Sequence, residues 1–207
     1  MFDTTIKSIL ESVWPMLFIV VTIAVSLRIT YLIINKVKFV LHKELLMLLF
    51  IVYIVCLFYV VTFQDVSWST SNFIPFKEMF RYEFGTRLFF KNVLGNLFMF
   101  LPYGFFASYF LKVNKKTSIL ILSIITSITI ECTQALIGRV FDVDDIILNV
   151  LGALIGYYLY VDISYIKDKL PDFLKNKIFY NIIVVLLIGL LVLYLWKFLK
   201  LGVFLNG

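Results

Sequence analysis

Along the chain, long apolar runs alternate with short polar connections. Residues 14–34, 43–63, 117–137 and 179–199 are apolar for about twenty positions each, enough to cross a bilayer as a helix. Residues 92–111 form another run, polar at its start through Asn92 and Asn96 and bent later by Pro102 and Gly104. Residues 145–161 form a shorter one that opens on Asp145 and Asn149. The pattern predicts an all-α fold, a polytopic transmembrane helical bundle of about six spans with an outer interfacial loop. The first run does not read as a cleaved leader. It continues apolar to Ile34, only Lys7 precedes it, and no small-residue cleavage site follows.

The connection over 64–91 is the longest. Gln64 to Asn72 is polar, Pro75 breaks it, and Lys77 to Tyr82 mixes charges with rings. It reads as an interfacial loop with a short helix. The 162–178 connection is charged, contains Pro171 and reads as a surface linker. The expected organisation is two spans over 1–71, a core over 72–161, and a cytoplasmic linker with a last span over 162–207.

Composition agrees with this pattern. The chain is 62% hydrophobic and 15% charged, against about 45–50% and about 25% for an average soluble domain. A water-soluble enzyme, a disordered chain and a secreted disulfide scaffold are excluded. The 22 Phe and 12 Tyr suit rings that meet lipid and headgroups. A net charge of +6 would suggest nucleic acid for a soluble protein. In a membrane protein, basic loops set topology instead, so membrane lipids are expected as partners and nucleic acid is not. Cys56 and Cys132 lie inside apolar runs, and His42 is the sole histidine. Neither a zinc site nor a Ser-His-Asp triad is expected, and no cofactor.

The short loops carrying Lys36, Lys38 and Lys43, and Lys112, Lys115 and Lys116, are basic on one side of the membrane only. The positive-inside rule then places both termini outside the cytoplasm, with 64–91 and 138–144 on the outer side. Arg28, inside the first span, is expected to snorkel to the near interface. Asn92-Val93-Leu94-Gly95 recurs as Asn149-Val150-Leu151-Gly152, each opening a span in the same direction. This suits either a parallel duplication or a coincidence in a strongly biased composition.

Several polar residues sit where apolar ones would be cheaper. A carboxylate at mid-membrane costs about 2.5–3.5 kcal/mol on an insertion scale. Glu131 lies inside a span, about 9 Å from its outer end at 1.5 Å per residue, and Gln134 shares its face. The following turn, 138–145, holds Arg139, Asp142, Asp144 and Asp145. Asp142 or Asp144 can cap the next helix, with Asp145 in its first turn. Asn149 continues the Asp145 stripe, and Gly152 and Gly156 extend it as a small-xxx-small pair. On the expected topology Asn92, Asn96, Glu131, Gln134, Arg139, Asp142, Asp145 and Asn149 converge near the outer ends of their spans. Such a cluster either binds something or joins helices by mutual hydrogen bonding.

Residues 72–161 resemble the VanZ-like membrane protein family. Asn72-Phe73-Ile74-Pro75-Phe76 looks like its N-x-I-P-F loop signature. Asn92-x-x-Gly95-Asn96 followed by Phe100-x-Pro102-x-Gly104-Phe105 looks like a second signature. Glu131-x-x-Gln134 and Arg139-x-x-Asp142-x-x-Asp145-x-x-x-Asn149-x-x-Gly152 look like a third, the most specific. The resemblance implies a multi-pass protein of the bacterial cytoplasmic membrane. It also implies a link to reduced susceptibility to teicoplanin, a lipid-bearing glycopeptide, with no accepted mechanism.

The leading expectation is a non-enzymatic envelope protein. Its outer polar cluster would bind a lipid-tailed or lipid-linked molecule, such as a cell-wall precursor or a lipoglycopeptide antibiotic, with Arg139, Arg81 and Arg87 available to an acidic head. One alternative is a metal-assisted enzyme on a lipid phosphate or lipid-linked sugar, using Glu131, Asp142 and Asp145 as oxygen ligands or a general base. Another is a small transporter. Topology is directly testable. With Cys56 and Cys132 replaced, a membrane-impermeant thiol reagent on intact cells should label a cysteine placed at Ser67 and not one placed at Asn114. The reverse pattern would invert the orientation.

Overall fold

The computed structural model describes residues 2–63, 71–81, 83 and 85–190. The helices are α1 (Phe2–Ile34), α2 (Leu41–Phe63), the short α3 (Arg87–Phe89), α4 (Gly95–Leu111), α5 (Lys116–Leu136), α6 (Val143–Lys169) and the one-turn α7 (Asp172–Lys175). A π turn, Phe90–Leu94, joins α3 to α4. A last apolar helix, α8, runs Lys177–Leu190. No strand occurs among the described residues, only an isolated parallel bridge between Asn72 and Asp142. Five helices are long and apolar enough to cross a membrane: Val13–Ile34, Leu41–Thr62, Arg87–Leu111, Lys116–Leu136 and Val143–Lys169. The expected sixth span begins within α8, and its remainder lies outside the described residues. The first part of the 64–91 connection, Gln64 to Thr70, also lies outside them.

The chain divides into two units, residues 1–18 with 52–166, and residues 19–51 with 167–207. In the second unit, Arg28 makes a two-pronged pair with Glu44 on α2, Nε to Oε2 at 2.7 Å and Nη2 to Oε1 at 3.0 Å. The guanidinium that was expected to snorkel is held by a carboxylate instead. A fork-on-fork pair fixes both groups, and it neutralises a charge that lipid would not tolerate. The His42 backbone N–H donates to Asn181 Oδ1 at 3.2 Å, and the His42 ring lies 2.8 Å from the same oxygen.

The first unit holds the core, in which Leu57, Val61, Phe100, Tyr103, Ala107, Ile119, Ala153 and Tyr157 pack together. Its tightest contact is between α4 and α6. A Cβ on Gly152 would strike the Leu97 backbone, one on Gly156 the Leu101 backbone, and one on Gly104 the Ala153 backbone. Between Leu97–Gly152 and Leu101–Gly156 both numbers rise by four, so α4 and α6 run parallel. Small residues let helices approach closely where lipid supplies no hydrophobic drive. The two Asn-Val-Leu-Gly copies are not equivalent, however. Gly152 lies on the partner's backbone, whereas a Cβ on Gly95 would meet only Phe90 O, at 4.0 Å. A symmetric duplication would bury both alike.

Pro102 removes one backbone donor from α4. In that turn the Tyr53 hydroxyl donates to Met99 O at 2.6 Å, tying α2 to α4. The α5 helix buries one stripe at nearly perfect four-residue spacing, Ile119, Ser123, Ser127, Glu131 and Gln134. It ends at Gly138, whose φ of +82° suits glycine. Outside these contacts the helices show Ile, Leu, Phe and Val, as a lipid-facing surface requires.

The seam makes a sharp prediction. Gly156→Leu places a branched side chain against the α4 backbone and should lower stability by about 3 kcal/mol. Gly95→Ala should change it by no more than about 1 kcal/mol, in the stabilising direction. Thermal unfolding in detergent micelles, followed by helical circular dichroism, separates the two.

Candidate functional site

The polar cluster forms where the end of α2, the start of α4, the end of α5 and the start of α6 come together at one end of the first unit. Its organising group is Asp144, which is 1% exposed. Its carboxylate accepts three backbone N–H groups from the 72–81 loop: Phe76 at 2.5 Å, Glu78 at 2.7 Å and Met79 at 3.0 Å. The loop bends back at Phe76, where φ is +67°. Asn72 closes the other end. Its N–H donates to Phe141 O at 2.8 Å, and its carbonyl accepts from Val143 N at 3.1 Å.

Asn72 Nδ2 donates to Asp142 Oδ1 at 2.9 Å, while Asn72 Oδ1 accepts from Ile74 N at 3.1 Å. Asp142 Oδ1 also accepts from Asp144 N at 2.8 Å, which makes Asp142 the cap of α6. Of the two expected capping residues, then, one caps and the other anchors the loop. Burial pushes the Asp142 carboxyl above the usual aspartate range. Its bonds from Asn72 and the Asp144 N–H pull the other way, and the charges of Asp144 and Glu78 push up again.

Glu131, 1% exposed, accepts from Asp142 N through Oε2 at 2.9 Å. Asn96 Nδ2 donates to Asp145 Oδ1. Asn149 Nδ2 donates to Ser127 Oγ at 2.9 Å, one helical turn below. Gln134 Nε2 donates to Val61 O at 3.2 Å, and Arg139 Nη1 donates to the same carbonyl. No ion pair joins Arg139 to Glu131 or Asp145 among the described residues. Arg81 is engaged by Glu78 at 3.0 Å. Of the sequence-predicted residues, Asn96, Glu131, Gln134, Arg139, Asp142, Asp145 and Asn149 all enter this network. Asn92 does not. It lies in the π turn, half-buried, and its side chain makes no hydrogen bond among the described residues.

Sequence reasoning left out Asn72, Asp144 and Ser127. Ser127 was legible as the position four residues before Glu131, on the same face. Asp144 was read as a capping residue, and nothing local shows that its carboxylate reaches a loop 66 residues earlier. No three His, Cys, Asp or Glu side chains among the described residues are placed to share a metal ion.

Beside this cluster the pinned loop carries exposed apolar side chains: Phe73 at 69%, Ile74 at 61%, Phe76 at 49% and Phe80 at 83%. Phe73 stacks on Phe141 with centroids 5.4 Å apart. The result is an apolar rim held against a buried polar floor. Such rings suit the membrane interface.

A family model described as VanZ/LLP1 matches residues 48–167, more than half of the chain. The match takes in most of the second span as well as the 72–161 core. No curated protein and no solved structure matches the chain.

Asp144→Asn turns one of the three-fold acceptor's oxygens into a donor and removes its charge. Hydrogen bonds to charged groups contribute about 1.5–3 kcal/mol each, so a loss of about 3 kcal/mol is expected, with faster amide exchange at Phe76, Glu78 and Met79. Asp142 carries a pH signature. Its raised pKa means its share of stability is complete below the unfolded value, about 3.9, and is lost as pH rises through the folded value. Asp142→Asn should therefore flatten the decline in melting temperature over that interval, read as the difference between variant and wild type.

Proposed function

We propose that this chain, which belongs to the VanZ/LLP1 family, binds a lipid-tailed or lipid-linked molecule of the bacterial envelope at its polar cluster. In doing so it lowers susceptibility to teicoplanin-like lipoglycopeptides. That it is a multi-pass membrane protein of VanZ type follows from the family match and the five apolar helices. The observation that supports the ligand class is the pairing of the exposed Phe73, Ile74, Phe76 and Phe80 with the polar groups they border. An amphiphile needs both. Its tail lies among rings at the bilayer surface, and its head reaches hydrogen-bonding groups at helix ends.

The chemistry of the cluster shapes the head group. Arg81 and Arg139, expected to meet an acidic head, are engaged by Glu78 and Val61 O. Of the cluster's acids, Glu131 and Asp144 are buried, and Asp142 and Asp145 are half-buried. They favour a head that donates hydrogen bonds, such as hydroxyl, amide or ammonium groups, over a bare phosphate. In this reading the protein acts by binding and carries out no chemical step.

Expression in a susceptible Gram-positive host should lower susceptibility to teicoplanin more than to vancomycin. A lipid tail adds about 0.8 kcal/mol per buried CH₂, which an unlipidated glycopeptide lacks. The difference should shrink in Asp145→Asn and in a Phe73→Ser/Phe76→Ser double variant at matched membrane abundance. Equal shifts for both drugs would remove tail recognition, and no shift with good expression would remove the resistance reading.

A further inference from the structure

We propose that the level of the first unit where α5 and α6 carry Glu131, Asp145 and Asn149 is a binding site for one monovalent metal cation, with sodium as the fitting ion. Register brings the groups together. α5 and α6 run antiparallel, and Asn149 touches Ser127 at 2.9 Å. One turn toward the polar end, α6 presents Asp145 and α5 presents Glu131. Two carboxylates that interact electrostatically therefore lie one turn along from a buried amide–hydroxyl pair.

Three oxygens at this level have no hydrogen-bond partner among the described residues. Glu131 is bonded through Oε2 only and Asp145 through Oδ1 only. Asn149 is 4% exposed, and its Oδ1 is a buried oxygen with no partner at all. A buried amide oxygen without a donor carries an uncompensated desolvation penalty, and natural structures seldom leave one without a reason. All three are hard oxygen donors. Ser127 Oγ, at the foot of the site, accepts from Asn149 and is a further oxygen at the same place.

The ligand set selects the valence. Asp144 is held by three backbone N–H groups and Asp142 by Asn72 and the Asp144 N–H. Among the described residues Glu131 and Asp145 are the carboxylates that keep a free oxygen. Glu131, Asp142 and Asp144 all act on Asp145 as negative charges, against the positive charge of Arg139, so the level is acidic and calls for a cation. No third acidic side chain among the described residues is placed to hold a divalent ion. A single proton could join Glu131 and Asp145, but it bridges only two oxygens, whereas an alkali ion can serve the three free ones together. The site shares the cluster of the proposed function but does not depend on the lipid reading, because its test contains no lipid-tailed ligand.

The test uses the full chain purified in detergent without sodium. Sodium-22 in equilibrium dialysis should show saturable binding of one ion per chain. Sodium chloride should raise the unfolding temperature, and choline chloride at equal ionic strength should not. Asn149→Ala should raise the half-saturating sodium concentration about tenfold, a loss of about 1.4 kcal/mol. Glu131→Gln keeps an oxygen for the Asp142 N–H and removes one of the two carboxylate charges. It should abolish sodium binding while keeping its unfolding temperature in choline chloride at or above wild type. Should Asn149→Ala fail to fold, the Glu131→Gln result decides. Failure of wild type to retain sodium, or equal stabilisation by both salts, would overturn the proposal. So would stabilisation by acid alone with no sodium effect, which would assign the missing charge to a shared proton.

Discussion

The polar end of this protein depends on a carboxylate that receives the backbone. Asp144 is buried, and a buried carboxylate left alone in a membrane-spanning unit would be prohibitively costly. Here it gathers the N–H groups of Phe76, Glu78 and Met79. One interaction thereby solves two problems, since a turn with its N–H groups pointing inward needs an acceptor as much as the acid needs donors. Everything near the site follows from that lock. The apolar rim is where it is because the loop is where it is. Asp142 caps α6 and, through the same oxygen, receives Asn72 at the start of the loop.

The close seam between α4 and α6 is the second constraint. Backbone contact at Gly104, Gly152 and Gly156 sets the two helices parallel and in fixed register. Register at the seam fixes which residue of α4 meets the first turn of α6, and so brings Asn96 to Asp145. The polar contact is a consequence of the glycine packing and not its cause, because the donor's reach from Asn96 is short. The antiparallel α5 adds Glu131 from the opposite direction. Three spans thus deliver their polar residues to one level.

Much of this was legible in the sequence. The apolar runs located the five long helices, because length and composition alone decide what can cross a bilayer. Seven of the eight residues expected to converge share one polar network in the fold, because a polar group inside a span has few places to go. Asn92 stands outside that network, since a π turn rotates the face on which a four-residue spacing would place it. The roles of the charges were less legible. Arg139 was expected to be available to an acidic head group and is bonded to the Val61 carbonyl. Arg28 was expected to reach the interface and instead grips Glu44. Partner choice among several charges depends on distances that spacing along one helix does not encode.

The bridge between Asn72 and Asp142 joins strands of backbone made at very different times. The loop side chain finds its partner 70 residues later in the chain. At a synthesis rate of about 5–20 residues per second, the loop waits of order ten seconds before its acceptors exist. During that interval Phe73, Ile74, Phe76 and Phe80 have only the bilayer surface to rest on, with the backbone of the turn still hydrated. The loop therefore acquires the acceptors of its N–H groups only once the first turn of α6 has been made.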